Sequence, residues 1–190
     1  MSHRSPHLLR AALVAVAALA VLTVALAQGV TRYRIVVEAE HNNAINPSMK
    51  VVSGDSNASN SKWVEYPLKR PHAQSENPAV KGDGGYATYK VNVPATGTWK
   101  VWIRRWWQDG CGNSFFLSVD GGSPQTVQDA TYQVWKWTKA PQAYSLSAGT
   151  HTFKLQNRED GARCDELLIT NDALFQPVRA MAETAQYLVK

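Results

Sequence analysis

The residues best equipped for chemistry are carboxylates set beside apolar strand-like runs. Glu38 and Glu40 close the stretch RIVVEAE at 34–40, where a strand would put both on one face. Two carboxylates side by side repel unless a cation lies between them, either a hard metal ion or a nearby Lys or Arg. Calcium, with its about six to eight oxygen ligands, is such an ion; exposure to solvent is the alternative. A third carboxylate, Asp165, stands just before Leu167-Leu168-Ile169, a short apolar run suited to a buried strand. An unpaired carboxylate there costs several kcal/mol, so a cation, an Arg or a metal belongs beside it.

The same residues make poor catalysts. A glycosidase needs two carboxylates across a sugar-sized cleft, one of them held as an acid, and Glu38 and Glu40 are too close along one strand for inverting geometry. His41, His72 and His151 lack zinc spacing, and neither a Gly-x-Ser-x-Gly elbow nor a Cys/His pairing stands out. The expectation is a binding scaffold, not an enzyme.

Cys111 and Cys164 are the two cysteines of the chain, and their compartment decides how to read them. Residues 1–27 carry Arg4 and Arg10, then an apolar run ending Ala25-Leu26-Ala27, the small-x-small pattern of a cleaved leader, with Gln28 as first mature residue. An uncleaved membrane anchor is the other reading, though the run is short for a span. No cysteine follows the site, which argues against a bacterial lipoprotein. A secreted, periplasmic or cell-surface protein with no membrane span after cleavage is expected, and export makes a Cys111–Cys164 disulfide plausible. The formal charge of +5 falls once Arg4 and Arg10 leave, and the basic residues are scattered. That excludes a nucleic-acid partner.

The elements that must hold these residues are strands. Residues 86–93 alternate, with Ala87, Tyr89, Val91 and Val93 on one face, and Trp99, Val101 and Ile103 form an inward set opposite Lys100, Trp102, Arg104 and Trp106. Phe115, Leu117 and Val119 alternate before the turn Asp120-Gly121-Gly122, and 143–147 and 150–157 read as two strands around Ala148-Gly149. KWVEY at 62–66 is a short strand, whereas 42–60 and 69–85 read mostly as polar loops. About eight to ten short strands with polar turns make an all-β, antiparallel β-sandwich. The expected organisation is a leader at 1–27, one sandwich at 28–175, and at 176–190 a tail or short helix around AMAETAQY.

EAE, VNVPATGTWKVWIR, SFFLSVDGG, SAGTHTFKL and CDELLITND occur in that order. The ordered set resembles the carbohydrate-binding modules of families 6 and 35, within the galactose-binding-like β-sandwich group, over nearly all of 35–172. The resemblance implies a jelly roll that binds poly- or oligosaccharide without cleaving it and carries a structural calcium. By it, Glu38, Glu40 and Asp165 match the metal ligands, with carbonyls of the 57–62 loop completing the shell. Trp135 and Trp137 match the sugar-stacking loop, and Arg163 matches a position that hydrogen-bonds sugar hydroxyls; pairing with Glu159 or Asp160 is its alternative. The long 69–85 loop, the adjacent Trp106-Trp107 and the two cysteines depart from the family pattern.

Seven tryptophans exceed what a small core needs. Trp63 and Trp99 are expected in the core. Trp102 and Trp106, with Arg104 between them, suggest a cation–π ladder on the outer sheet face unless loops or the tail cover it. Tyr66 and Tyr86 are weaker ligand candidates. An exposed Trp face would serve a carbohydrate-binding module, or a structural or adhesion subunit that self-associates or meets other surface proteins through residues 176–190.

Overall fold

The computed structural model describes residues 31–46, 48–68 and 85–190. The expected leader and most of the 69–85 loop lie outside the described residues.

Two antiparallel sheets face each other. The larger has β1 (Arg34–Glu38), β3 (Lys50–Ser53), β4 (Lys62–Glu65), β6 (Gly97–Trp106), β9 (Lys136–Lys139), β10 (Tyr144–Leu146) and β12 (Arg163–Thr170). The smaller has β2 (Ala44–Ile45), β5 (Tyr86–Val93), β7 (Ser114–Val119), β8 (Gln125–Gln128) and β11 (Gly149–Asn157). This is the expected β-sandwich, and the helical turns among the described residues are short 3-10 pieces at Ala39–His41, Ser59–Ser61 and Ala185–Tyr187. None of its described helices is long and apolar enough to cross a membrane.

Alternation explains the strands. In β5 and β11 every second residue is buried, and the two pair from Gly149↔Val93 to Gln156↔Tyr86. Their inward residues meet Trp99, Val101, Ile103, Leu167 and Ile169 of the larger sheet in one core. Trp99 is fully buried, as expected, and its indole N–H donates to the Ala95 carbonyl at 3.1 Å.

β12 is the central strand of the larger sheet, with β6 on one flank and β1 and β4 on the other. Against β6 the register jumps from Cys164↔Arg105 to Glu166↔Arg104, which leaves Asp165 as an extra residue in a bulge. A bulge re-aims the side chain it carries, and here both Asp165 and Glu166 are fully buried.

Of the two forms expected at the C-terminus, an extended tail or a short helix, the chain takes the tail, with one 3-10 turn at Ala185–Tyr187. β1 would otherwise present an open sheet edge, a liability that folded proteins cover. The Thr184 N–H donates to the Val36 carbonyl at 3.0 Å, and the Val36 N–H donates to Thr184 Oγ1 at 2.7 Å. The Glu38 N–H donates to Glu183 Oε1 at 3.0 Å. Beyond the turn at Ala185–Tyr187 the chain bridges to Val91, and the Val189 N–H donates to the Lys90 carbonyl at 3.0 Å. The tail is therefore an extended strap from the edge of one sheet to the other. Beneath it Val36, Trp137 and Leu168 form a second small apolar cluster with Trp102, Phe175 and Met181.

Candidate ligand-binding site

The strap covers one end of the larger sheet's outer face, and aromatic rings occupy the other. β12 and β4 pair Arg163 with Glu65, and β6 puts Trp106 opposite Arg163. The Arg163 guanidinium lies 4.2 Å from the Trp106 ring centre and 5.1 Å from that of Trp63. Its Nε is 3.1 Å from Glu65 Oε2, an ion pair angled poorly for a hydrogen bond, so Glu65 and not Glu159 or Asp160 is its acidic neighbour. The Trp63 indole N–H donates to the same Glu65 oxygen at 2.7 Å.

Trp135, in the loop before β9, continues this row 6.2 Å from Trp63. Its indole N–H donates to Asp55 Oδ2 at 2.8 Å, while the Asn57 N–H donates to Asp55 Oδ1 at 2.9 Å. The Asn57 backbone N–H, then the Trp135 indole, hold the Asp55 carboxyl below its usual range. Asp55, Asn57, Gln133, Val134 and Trp135 wall a cavity of about 350 Å³, with Arg104 and Trp106 from the sheet below. Few polar groups beside aromatic rings in a concavity are the usual make-up of a small-ligand site. An aromatic face takes the C–H side of a sugar ring, and the carboxylate and amides can take its hydroxyls.

Of the expected ligand residues, Trp106, Trp135 and Arg163 come together here. Trp137 and Tyr66 do not. Trp137 belongs to β9, opposite Arg104, is 5 % exposed, and its indole N–H donates to the Arg179 carbonyl at 2.9 Å beneath the strap. Neither face of its ring is open. Tyr66 is packed into the main core. The Trp102–Arg104–Trp106 ladder is likewise not formed: Lys139 lies over Trp102 at 6.0 Å, and Arg104 lies over Trp135 at 5.6 Å. Tyr86 is half-buried on β5 of the other sheet, with Lys154 over its ring at 4.5 Å. Asp55 and Asn57 were not foreseen; the stretch GDSNASNS reads as a polar loop, and no local pattern shows that it faces Trp135.

The acidic residues gather beside this site, with one difference. β1 ends at Glu38 and Glu40 falls in the 3-10 turn, so the two do not share a strand face. Asp165 accepts from Arg104 Nη1, and from the Ser59 N–H at 2.9 Å. Glu38 Oε1 accepts from the Ser59 hydroxyl at 2.7 Å, and Glu40 Oε1 from Asn60 Nδ2 at 3.2 Å. Glu166 Oε1 accepts from the Met181 N–H at 2.8 Å, with Arg104 Nε 3.7 Å from its other oxygen. Burial, with mutual repulsion, pushes Glu38 up to about 7 and Glu166 to about 8. Asp165 rises to about 6 by burial against the pull of Arg104.

This donor set fits a hard cation in its chemistry: all oxygen, with Glu38 Oε2 and Glu40 Oε2 buried and without hydrogen-bond partners. As disposed, no three acidic, His or Cys side chains among the described residues converge on one metal position. The side chain of Asp165 is spoken for by Arg104 and Ser59.

The expected Cys111–Cys164 disulfide is not formed in this structure. Both cysteines are free: Cys111 is exposed in the loop between β6 and β7, and Cys164 is buried. The Cys164 thiol points into the core, 3.7 Å from the Glu166 carbonyl, and burial pushes its pKa well up.

Among solved structures the chain resembles a family 35 carbohydrate-binding module from Clostridium thermocellum, with a TM-score of 0.53, 18 % identity and coverage of 72 % of this chain and 97 % of that one. It also resembles a module of family 6 from Cellvibrio mixtus lichenase, solved with cellotriose, at a TM-score of 0.50 and 22 % identity, covering 72 % and 95 %. A Podospora anserina β-(1,4)-mannanase carrying a family 35 module aligns at a TM-score of 0.57 and 16 % identity, covering 76 % of this chain and 29 % of the enzyme. No family model and no curated protein matches the sequence. At such identities the likeness shows the fold: the β-sandwich of these modules.

Proposed function

We propose that this chain is a non-catalytic carbohydrate-binding module of an exported protein, taking oligo- or polysaccharide in the cavity between Asp55, Trp106 and Trp135. The observation that carries the reading is Trp135 itself, a half-buried ring pinned through its indole N–H to Asp55 at the wall of a polar cavity. The carboxylates Glu38 and Glu40 are engaged by Ser59 and Asn60 and do not line that cavity, which favours binding over hydrolysis. The leader at 1–27 supports export. The orphan oxygens of Glu38 and Glu40 support a structural calcium, which these two would hold with Asp165, whose carboxylate would be shared with Arg104, and which would add to the positive charge Arg104 brings to the cluster.

A structural or adhesion subunit was the other reading, with residues 176–190 as its assembly segment. That segment is spent on the protein's own β1 and β5, which leaves the reading without its motif.

A glycan array that includes cellotriose and other β-linked oligosaccharides should give a selective ligand. Trp135→Ala should then weaken binding by roughly 1–3 kcal/mol, as loss of an aromatic hot spot does. Its melting temperature should move little, because the ring is only half-buried. Trp137→Ala should do the reverse, lowering stability through the cavity it opens. Undiminished binding by Trp135→Ala would place the site elsewhere.

A further inference from the structure

β6 ends its inward row with Arg105, whose side chain is fully buried. An arginine has five N–H donors in a fixed fork. Here all of them go to one segment, the residues 129–138 that run from the end of β8 into β9. Nε donates to Thr138 Oγ1 at 2.8 Å, and Nη1 to the carbonyls of Thr131 at 2.8 Å and Val134 at 3.5 Å. Nη2 donates to both oxygens of Asp129, at 2.5 Å to Oδ1. The acceptors also hold one another: the Thr138 hydroxyl donates to Asp129 Oδ2 at 2.5 Å, and the Thr131 N–H donates to Asp129 Oδ1 at 2.9 Å. Between these anchors lie Gln133, with φ of 56°, Val134 and Trp135, three residues that line the cavity.

We propose that Arg105 is a positioning residue of the ligand site: from inside the sandwich it sets the shape of the 129–135 loop, and so the angle at which Trp135 meets a ligand. The inference rests on the binding reading above. A lysine is a point donor and cannot span Asp129, Thr131, Val134 and Thr138 at once, so the role requires the guanidinium fork. Arg105 touches no ligand itself; it acts through the ring it orients.

The test uses Asp129→Asn, which keeps the side-chain shape but removes the charge that Arg105 grips, in the full chain. Hydrogen exchange across 129–135 should rise by about tenfold or more while β5, β11 and β12 keep their protection. Affinity for the array-selected glycan should fall about tenfold, yet fall less than about twofold when the substitution is added to Trp135→Ala, because both act through one ring. A general loss of fold would move every region's exchange and add in full. Arg105→Lys should reproduce the exchange pattern of Asp129→Asn, and Thr138→Val, a milder change, should do so if Asp129→Asn fails to fold. Unchanged exchange in the loop, or full additivity with Trp135→Ala, overturns the proposal. With a wild type that binds no glycan the binding reading falls, and the exchange result alone decides whether Arg105 governs the loop.

Discussion

Arg104→Met should destabilise the fold by about 3–5 kcal/mol, because it removes one partner from a buried ionic cluster. Arg104 is 8 % exposed and stands between Asp165 and Glu166, both fully buried. Met fills a similar volume, so lost packing contributes little, and near neutral pH the stranded Asp165 carboxylate, which Arg104 stabilises against burial, supplies the cost. Removing the charge from the other side should restore part of it: Asp165→Asn added to Arg104→Met should recover a substantial fraction, since a neutral amide needs no cation. Chemical denaturation of the two variants reads both effects. A single variant as stable as the wild type would mean that Asp165 is already neutral or otherwise paired.

That cluster shows what a sequence can and cannot disclose. A carboxylate just before an apolar run implies a partner, and the Asp165–Arg104 pair supplies one. Which Arg was not legible, because the pairing depends on the bulge at Asp165, a register jump between strands about sixty residues apart in the chain. The sandwich itself was legible, since strands such as β5 and β11 alternate cleanly and periodicity is a local signal. Trp135 and Trp137 show the limit. They stand two residues apart, yet one lines the cavity and the other is sealed under the strap, and the difference comes from the tail. The tail's own path was hidden as well. AMAETAQY reads equally as a short helix or a tail, and what decides is that Glu183 and Thr184 satisfy the backbone of β1, an open edge visible only once the sheet exists. The cysteines show a related limit: export permits a disulfide, but whether a loop residue and a strand residue come within bonding reach is a property of the fold.

Metal-free protein should be more stable near pH 5 than near pH 8, the opposite of what most acidic residues produce. The folded-state pKa values of Glu38, Asp165 and Glu166 rise to about 7, 6 and 8, above ordinary carboxylate values, with burial as the leading cause. A carboxyl raised in this way holds its proton more tightly folded than unfolded. Its contribution is complete below the unfolded pKa and is lost as pH climbs through the folded one, here between about 4.5 and 8. At about 1.4 kcal/mol for each pH unit of displacement, Glu166 alone accounts for a loss on the order of 4 kcal/mol between pH 5 and pH 8. His151 acts in the same direction. Burial opposes its charge, but Asp120 at 2.6 Å and the Ser147 carbonyl at 2.9 Å face its two ring nitrogens and raise its pKa. Asp55, Asp120, Asp129 and Asp172 are lowered instead, so their contribution is lost only below about pH 4, outside this window. Glu166→Gln separates the sources, because it should remove the largest carboxylate share, the one lost nearest pH 8, and leave the His151 part. Calcium tests the rest. If Glu38, Glu40 and Asp165 hold the ion, it replaces the protons as counter-charge and stabilises by about 2.7 kcal/mol at a hundredfold excess over its Kd. The difference between pH 5 and pH 8 should then shrink, and a chelator should restore it. Melting curves that ignore both pH and calcium in protein shown to be metal-free would remove the case for a cation at this cluster.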